Sequence, residues 1–442
     1  MQHTESRTIF HVDVNSAFLS WSALKRLKED PGSVDLRTIP SAVGGDVQTR
    51  HGIITAKSIP AKKYDIHTAD PVVKALQKCP QLVVVPADFQ TYRTYSHRLM
   101  DLLSEYTPLL QQVSIDEAYL DVSHLVPADD RTAAIALADR IRTHVFLHLG
   151  FTVNVGISSN KLLAKMASDF RKPDMTHTLY PDEIKEKMWP LPIGDLYGCG
   201  RATAGKLQSI GIHTIGEAAV SDLRILQSLL GEKGGLYIHE SANGRSHSAV
   251  KPEKEKAKSI SNEITMAEDI GPENFAGKGI PVIRTLSEKV SGRLHKTGMV
   301  AQTVTFQVKT SDFQRYSRQT SLEDPCDDRL QIEKAALLLA ERLLTSSGGL
   351  FDSGKTIRLI GVGVSRLTEP QAQQMDLFTW ARETSASADH NPPLNKEQKQ
   401  QIISQKSEKL NAMLASVNAR FGDGRLRKGM SVPQRTAEDD SE

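Results

Sequence analysis

Apolar and polar positions alternate along the chain in a definite order of strand and helix signals. Ile9–Val14 has a period of two: Ile9, His11 and Asp13 share one face, and Phe10, Val12 and Val14 share the other. A helix follows, with Asn15 or Ser16 as its N-cap. From Ser20 to about Pro80 the pattern is broken and polar, with turns at Pro31-Gly32 and Gly44-Gly45, and reads as an insertion. Leu82–Pro86 reads as a short strand. Tyr92, Tyr95, Leu99, Leu102, Leu103 and Tyr106 recur at helical spacing, with Pro108 beyond the end. Val113–Ile115 and Ala118–Val122 read as strands joined by a tight turn. Ile135, Ala138, Ile141 and Val145 mark a helix ending near Gly150, and Phe151–Ile157 a last strand. Strand, helix, strand, strand, helix, strand is the order of a ferredoxin-like sheet, here with an insertion after its first strand. Helices on one face would leave the other open.

Beyond the sheet, Leu162, Leu163, Met166, Ala167 and Phe170 form the buried stripe of another helix. Pro190-Leu191-Pro192-Ile193 opens a small helical region that closes near Gly244-Arg245. Lys251 to Lys258 is charged, contains Pro252 and has no apolar stripe, as a linker would. Ser259–Thr265, Thr303–Thr310 and Lys355–Ser365 read as strands, and Ile280–Leu294 and Leu330–Leu344 as helices. A final helix is predicted from Asn395 to about Phe421, before an acidic end, Glu438–Glu442. The expected organisation is α+β and multi-domain: 1–22 with 81–180, an insertion 23–80, a helical region 181–248, a linker 249–258, an α+β module 259–368 and a tail 369–442.

Composition narrows the class. A chain of 442 residues is too long for one ordinary core. No run of about 18 apolar residues could span a membrane. No charged segment followed by an apolar core marks a secretory signal. Cys79, Cys199 and Cys326 are far apart and fit no metal spacing, so they read as reduced thiols of a cytoplasmic protein. A net charge of +2 neither demands nor excludes nucleic acid, because a binding groove needs only local charge.

The candidate chemistry sits at two places. Asp116 and Glu117 are adjacent carboxylates at a hairpin tip. They read either as a polar turn or as donors to a divalent cation. Asp13 ends a buried strand, where an unpartnered carboxylate is unfavourable. Three acids brought together would hold two Mg²⁺ ions, the arrangement used for in-line attack at phosphorus. The small-residue stretch at Ser41–Asp46, followed by Thr55 to Lys63, suits a triphosphate cradle in which Lys62 supplies charge. Lys161 lies in the first turn of its helix, where the dipole disfavours a cation, so an anionic partner would explain it. Gly198-Cys199-Gly200, with Lys206 and then Ile210-Gly211-Ile212, resembles a helix-hairpin-helix, whose backbone N–H groups approach DNA phosphates.

Asp13-Val14-Asn15-Ser16-Ala17-Phe18, followed by Ser114-Ile115-Asp116-Glu117-Ala118, resembles the two catalytic motifs of the Y-family, or translesion, DNA polymerases, nearest the bacterial DNA polymerase IV and UmuC-like group. The resemblance covers roughly residues 7 to 380 and implies a palm, small inserted fingers, a thumb and a little finger. It implies that Asp13, the Val14 carbonyl, Asp116 and Glu117 bind the metals. Phe18 would stack on the incoming sugar and exclude a ribose 2′-hydroxyl. Thr55, Lys62 and Lys161 would bind the triphosphate, and Gly198, Gly200 and Lys206 would contact DNA. The family's phosphate-binding Tyr is replaced by Ile59, for which Lys57 or Thr55 could compensate. Gln374, Leu377 and Phe378 resemble the peptide that binds the bacterial sliding clamp. The expected activity is low-fidelity, template-directed addition of deoxynucleotides to a primer across damaged DNA by a monomer. A nucleotide cyclase on the same palm fits less well, since it has no use for DNA contacts or a clamp peptide. A non-catalytic relative would be expected to lack the acids.

Overall fold

The computed structural model describes residues 7–46, 52–127, 129–253 and 255–370. The clamp-type peptide with Gln374, Leu377 and Phe378 and the helix expected from Asn395 lie outside the described residues.

The catalytic-type sheet contains β1 (Ile9–Val14), β5 (Leu110–Gln112), β6 (Glu117–Asp121), β7 (Val153–Ser158) and β8 (Thr176–Thr178), in the order β5-β6-β1-β7-β8. β1 lies antiparallel to both β6 and β7, and β8 extends the ferredoxin-like core parallel to β7. Phe10, Val12 and Val14 enter the main core, against the helices Phe89–Ser104 and Arg131–Leu149. Asp88 and Asp130 cap those helices, accepting backbone N–H groups with their side chains, and Gly150 ends the second in the left-handed region.

The other sheet face is not left open. The helix Lys161–Asp169 packs on β1 and β7, capped by Asn160, whose side chain accepts from Leu163 N–H at 3.0 Å. The approach is close because β7 offers Gly156: a Cβ there would lie 2.0 Å from the Ala164 carbonyl oxygen and 2.4 Å from the Ser168 nitrogen.

The insertion is more regular than its polar pattern suggests. β2 (Ser41–Gly44), β3 (Ile54–Lys57) and β4 (Val83–Val85) form a sheet of order β3-β2-β4. The strand expected within the 81–180 palm segment therefore bonds to β2, in parallel register, and belongs to the fingers sheet. Its short apolar run carried no information about its partner. The hairpin strand expected at Val113–Ile115 is displaced to Leu110–Gln112. Ser114 Oγ accepts the Asp116 N–H at 3.2 Å and donates to Asp116 Oδ1 at 2.6 Å, a local turn that replaces ladder bonds. Ser16 holds the N-cap position of the helix Ala17–Glu29, at φ 48°, without a side-chain cap.

The thumb helices Arg201–Gln208, Ile215–Val220, Leu223–Leu230 and Glu232–Ala242 share one small core. The little finger is a sheet of β9 (Ser259–Ile270), β10 (Val300–Thr310), β11 (Arg315–Cys326) and β12 (Ile357–Thr368), ordered β11-β10-β12-β9. The helices Ile280–Thr297 and Arg329–Ala340 contribute to its core. β11 escaped the sequence pattern because it is an edge strand with almost no buried residue.

Gly156→Ala should cost about 1–3 kcal/mol or more, since backbone rather than a side-chain tip blocks the added carbon. Gly292→Ala, in a helix interior with nothing within 4 Å, should instead stabilise by about 0.5–1 kcal/mol. Urea midpoints of the two variants would test this, and a silent Gly156→Ala would contradict the packing.

Candidate active site

β1 and β6 set Asp13 directly opposite Glu117. The Val14 N–H donates to the Asp116 carbonyl at 3.1 Å, which keeps Asp116 beside the pair. Like charges facing each other across strands destabilise a sheet, and Asp13 is only 7% exposed, so the pair needs positive charge close by. Two lysines provide it. Lys165 Nζ lies 2.7 Å from Glu117 Oε1 and 3.3 Å from Asp13 Oδ2. Lys172 Nζ lies 3.0 Å from Asp13 Oδ1. Asp169 binds both ammonium groups, at 3.2 and 2.9 Å.

Burial acts to raise the Asp13 pKa, but Lys172, the hydrogen bond with Glu117 and then Lys165 overcome it and hold the group below the usual carboxylate range. Glu117 is pushed up, by burial and by its contact with Asp13. The pair thus titrates as a unit, with the proton favouring Glu117. Burial alone would lower both lysines, and the surrounding carboxylates more than reverse this. His11 is fully buried below the pair, with Nδ1 2.8 Å from Ser168 Oγ. Burial first, then Lys165, lowers its pKa to about 3, so the imidazole is neutral.

A network of buried amides places Lys172. Asn15 Nδ2 donates to Asn154 Oδ1 at 3.0 Å, and Asn15 Oδ1 accepts from Thr152 Oγ1 and the Asp174 N–H, each at 2.9 Å. Asn154 Nδ2 donates to the Arg171 carbonyl at 2.7 Å. Both ends of the segment around Lys172 are therefore tied to strand residues next to Asp13.

Sequence reasoning missed Lys165, Lys172, Asp169 and Asn154. The available signal was a lysine one helical turn beyond Lys161. The expected convergence of three acids is only partly realised. Asp13 and Glu117 share cations, while the Asp116 carboxylate turns to Ser114. Among the described residues, no three His, Cys, Asp or Glu side chains are grouped as metal ligands. The donor set still fits a hard dication: it is all oxygen, and the acid pair already requires positive charge to exist.

Next to the acids lies a cleft of about 250 Å³ lined by Val14, Phe18, Thr55, Lys57, Lys62 and Asp116, among others. Five of the expected site residues meet there. The Phe18 ring stacks on Tyr92 at 4.5 Å, which fixes its plane at the cleft wall. Lys62 ends the helical turn Ile59–Lys62, which Ser58 caps by accepting the Ala61 N–H at 3.1 Å. Lys161 does not join this cleft. Its Nζ donates to Gln111 Oε1 at 2.8 Å and lies 4.9 Å from the Tyr119 ring centre. The lysine that points to the acids is the next one on the helix, because a four-residue step changes the level, not the face.

The thumb glycines have separate reasons. Gly198 has φ +85°, and a Cβ there would come within 2.3 Å of the Tyr237 hydroxyl. Gly200, the N-cap residue of Arg201–Gln208, has nothing within 4 Å of an added Cβ, so that helix start is open to close approach. Lys206 is exposed on the same helix. In the little finger, Arg315 is paired with Glu263 at 3.2 Å, while Lys309 and Arg358 both lie over the Phe313 ring.

An acid pair at the end of a ferredoxin-like palm strand, opening on an aromatic and cationic cleft, is the layout expected of a palm-based polymerase. Family models match three stretches: the impB/mucB/samB family at 12–169, the IMS family HHH motif at 181–212 and the impB/mucB/samB C-terminal domain at 257–377. A DNA polymerase IV of Clostridium acetobutylicum is 40% identical over 84% of this chain and 90% of its own. DNA polymerase IV 1 of Bacillus subtilis is 34% identical over 97% of this chain and 94% of its own. Among solved structures, a Y-family DNA polymerase chimera of Dbh matches with a TM-score of 0.69 at 22% identity, covering 82% of this chain and all 100% of that one. A Dbh ternary complex matches at 0.56 and 23%, with the same coverage of 82% and 100%. The chain belongs to the impB/mucB/samB family, the Y-family of DNA polymerases, and is an enzyme of the DNA polymerase IV kind.

Lys165→Met keeps the stem and removes the charge, leaving the acids undercompensated. Stability should fall by about 3–5 kcal/mol, read as a lower urea midpoint at neutral pH without divalent cations. An unchanged midpoint would mean that Lys172 alone balances the pair.

Proposed function

We propose that this polymerase extends primers across damaged template by two-metal-ion nucleotidyl transfer. The observation that carries the reading is the register that sets Asp13 against Glu117, with Asp116 one residue away, at the head of the cleft that holds Phe18, Thr55 and Lys62. Asp13, Asp116, Glu117 and the Val14 carbonyl would hold two Mg²⁺ ions. When bound, such ions supply neutralisation of the triphosphate and a lower pKa at the primer 3′-hydroxyl.

The chain's own residues do the rest. Lys165 and Lys172 keep Asp13 ionised, and Lys165 holds Glu117 beside it, before the ions arrive. Lys62, with Lys57 beside it, draws the triphosphate into the cleft, and Thr55 lines its wall. Phe18, held by Tyr92, fills the space that a ribose 2′-hydroxyl would need. Gly198, Gly200 and Lys206 serve the DNA backbone without reading sequence. Among the described residues the fingers hold three short strands and two short helices, Ile59–Lys62 and Val72–Lys78, a small layer that presses weakly on the new base pair, which supports low fidelity and tolerance of lesions. Gln374, Leu377 and Phe378 would tether a monomeric, cytoplasmic enzyme to the sliding clamp, offsetting low processivity. No described helix is long and apolar enough to cross a membrane.

Primer extension on a template with one defined adduct tests the reading. Asp116→Asn should abolish extension on damaged and intact template while leaving the Kd for primed DNA unchanged. Retained extension would remove the mechanism. Phe18→Ala should raise ribonucleotide incorporation relative to deoxyribonucleotide by about 10²-fold or more, measured as the ratio of kcat/KM values. Selectivity at the wild-type level would mean that another side chain meets the sugar.

A further inference from the structure

Lys161 sits at a junction that the reaction does not explain. Its Nζ donates to Gln111 Oε1 at 2.8 Å and reaches the Ala249 carbonyl at 3.5 Å. The same Gln111 oxygen accepts the Lys251 N–H at 3.1 Å. One side-chain amide thus joins three segments: the palm edge strand β5, the first turn of the helix Lys161–Asp169, and the chain leaving the thumb. Between the two linker bonds, Val250 is buried against Ile9, Tyr119 and Ala164 of the palm. One residue before Lys161, Asn160 Nδ2 donates to the Gly244 carbonyl at 3.0 Å. Beyond Lys251 the described residues 252, 253 and 255–258 are all exposed, and Lys256 pairs with Glu369 rather than with the palm. The buried attachment of the linker to the palm therefore ends at this clamp.

The Lys161 ammonium is well placed for such a task. It faces the Tyr119 ring, no carboxylate among the described residues pairs with it, and burial followed by Lys251 lowers its pKa. Its bonds go to neutral oxygens, one on the palm and one on the linker, so it is a bridge between segments. Gln111 is also the register partner of Tyr119, on the strand that begins with Glu117. The linker is thus fastened to the strand pair that carries a catalytic acid.

We infer that Gln111 and Lys161 are positioning residues that clamp Ala249–Lys251 to the palm and so fix where the little finger is tethered relative to the primer end. The inference rests on the polymerase reading for its consequence, not for the clamp itself. Full-length Lys161→Met, Gln111→Leu and Lys251→Pro would be compared. The last removes the donated N–H together with the exposed Lys251 side chain and lies outside the palm core, so it covers the case in which a palm variant fails to fold. Each should raise the Kd for primed duplex about tenfold, the effect of losing one hydrogen bond of a charged or buried donor. The KM for deoxynucleotide at saturating DNA should stay at the wild-type value. Trypsin should cut the linker lysines faster in the free protein. Lys161→Arg, which retains donors, should restore most of the DNA affinity. A raised nucleotide KM with unchanged DNA Kd and unchanged cleavage would overturn the clamp and return Lys161 to the triphosphate. Wild-type behaviour in all three measurements would also overturn it. If the wild-type enzyme itself fails to extend a primer, the polymerase reading falls, and the cleavage rates still decide the clamp.

Discussion

The structure turns on one electrostatic demand: two carboxylates face each other across a β-ladder, Asp13 buried and Glu117 half-buried. Water screens such a pair poorly, so cations must help. Much of the palm's second layer follows from that demand. Gly156 lets the helix Lys161–Asp169 lie against the sheet, which brings the Lys165 ammonium between the acids. Asn15 and Asn154 pin the next segment, which delivers Lys172. His11 fills the space beneath as a neutral ring, adding packing without another charge.

This arrangement is both stable and ready for exchange. A buried acid pair with no counter-charge would take up a proton and lose its affinity for metal. Ammonium groups keep Asp13 ionised, and they are held by flexible stems that can withdraw. Asp169 offers both lysines an alternative partner within 3.2 Å. A divalent cation bound by Asp13 and Glu117 would take the place of the ammonium charge, and Asp169 would keep both lysines partnered.

The strand end at Asp13 and the Asp116-Glu117 turn were legible in the sequence, because a carboxylate in an apolar period-two run is costly unless used. The resemblance assigns Phe18 to the incoming sugar and Thr55 and Lys62 to its triphosphate, and the three side chains line one cleft. What stayed illegible was tertiary. Val83–Val85 looks like any short apolar strand, and only its partner shows that it belongs to the fingers. The edge strand Arg315–Cys326 buries almost nothing and so has no pattern to read. Lys161 and Lys165 lie one turn apart on the same helix, and sequence alone offered no way to tell which level faces the acids. That choice is made by Gly156, from the strand beneath.

The replacement of the family's Tyr by Ile59 can be argued further from the cleft. Ile59 is 38% exposed at the first position of its helical turn and offers no donor. Two substitutes were open, Thr55 and Lys57. The Thr55 hydroxyl already donates to the Val43 carbonyl at 3.1 Å, so its proton is committed within the fingers sheet. Lys57 lines the cleft and, among the described residues, makes no such tie. Its pKa is lowered by burial and then by Lys62, so the two ammonium groups disfavour one another across the space where a polyphosphate would lie. An anion between them relieves that repulsion and gains both attractions at once. In a polymerase that binds its triphosphate in this cleft, charge would replace the missing neutral donor, and Lys57 rather than Thr55 would supply it.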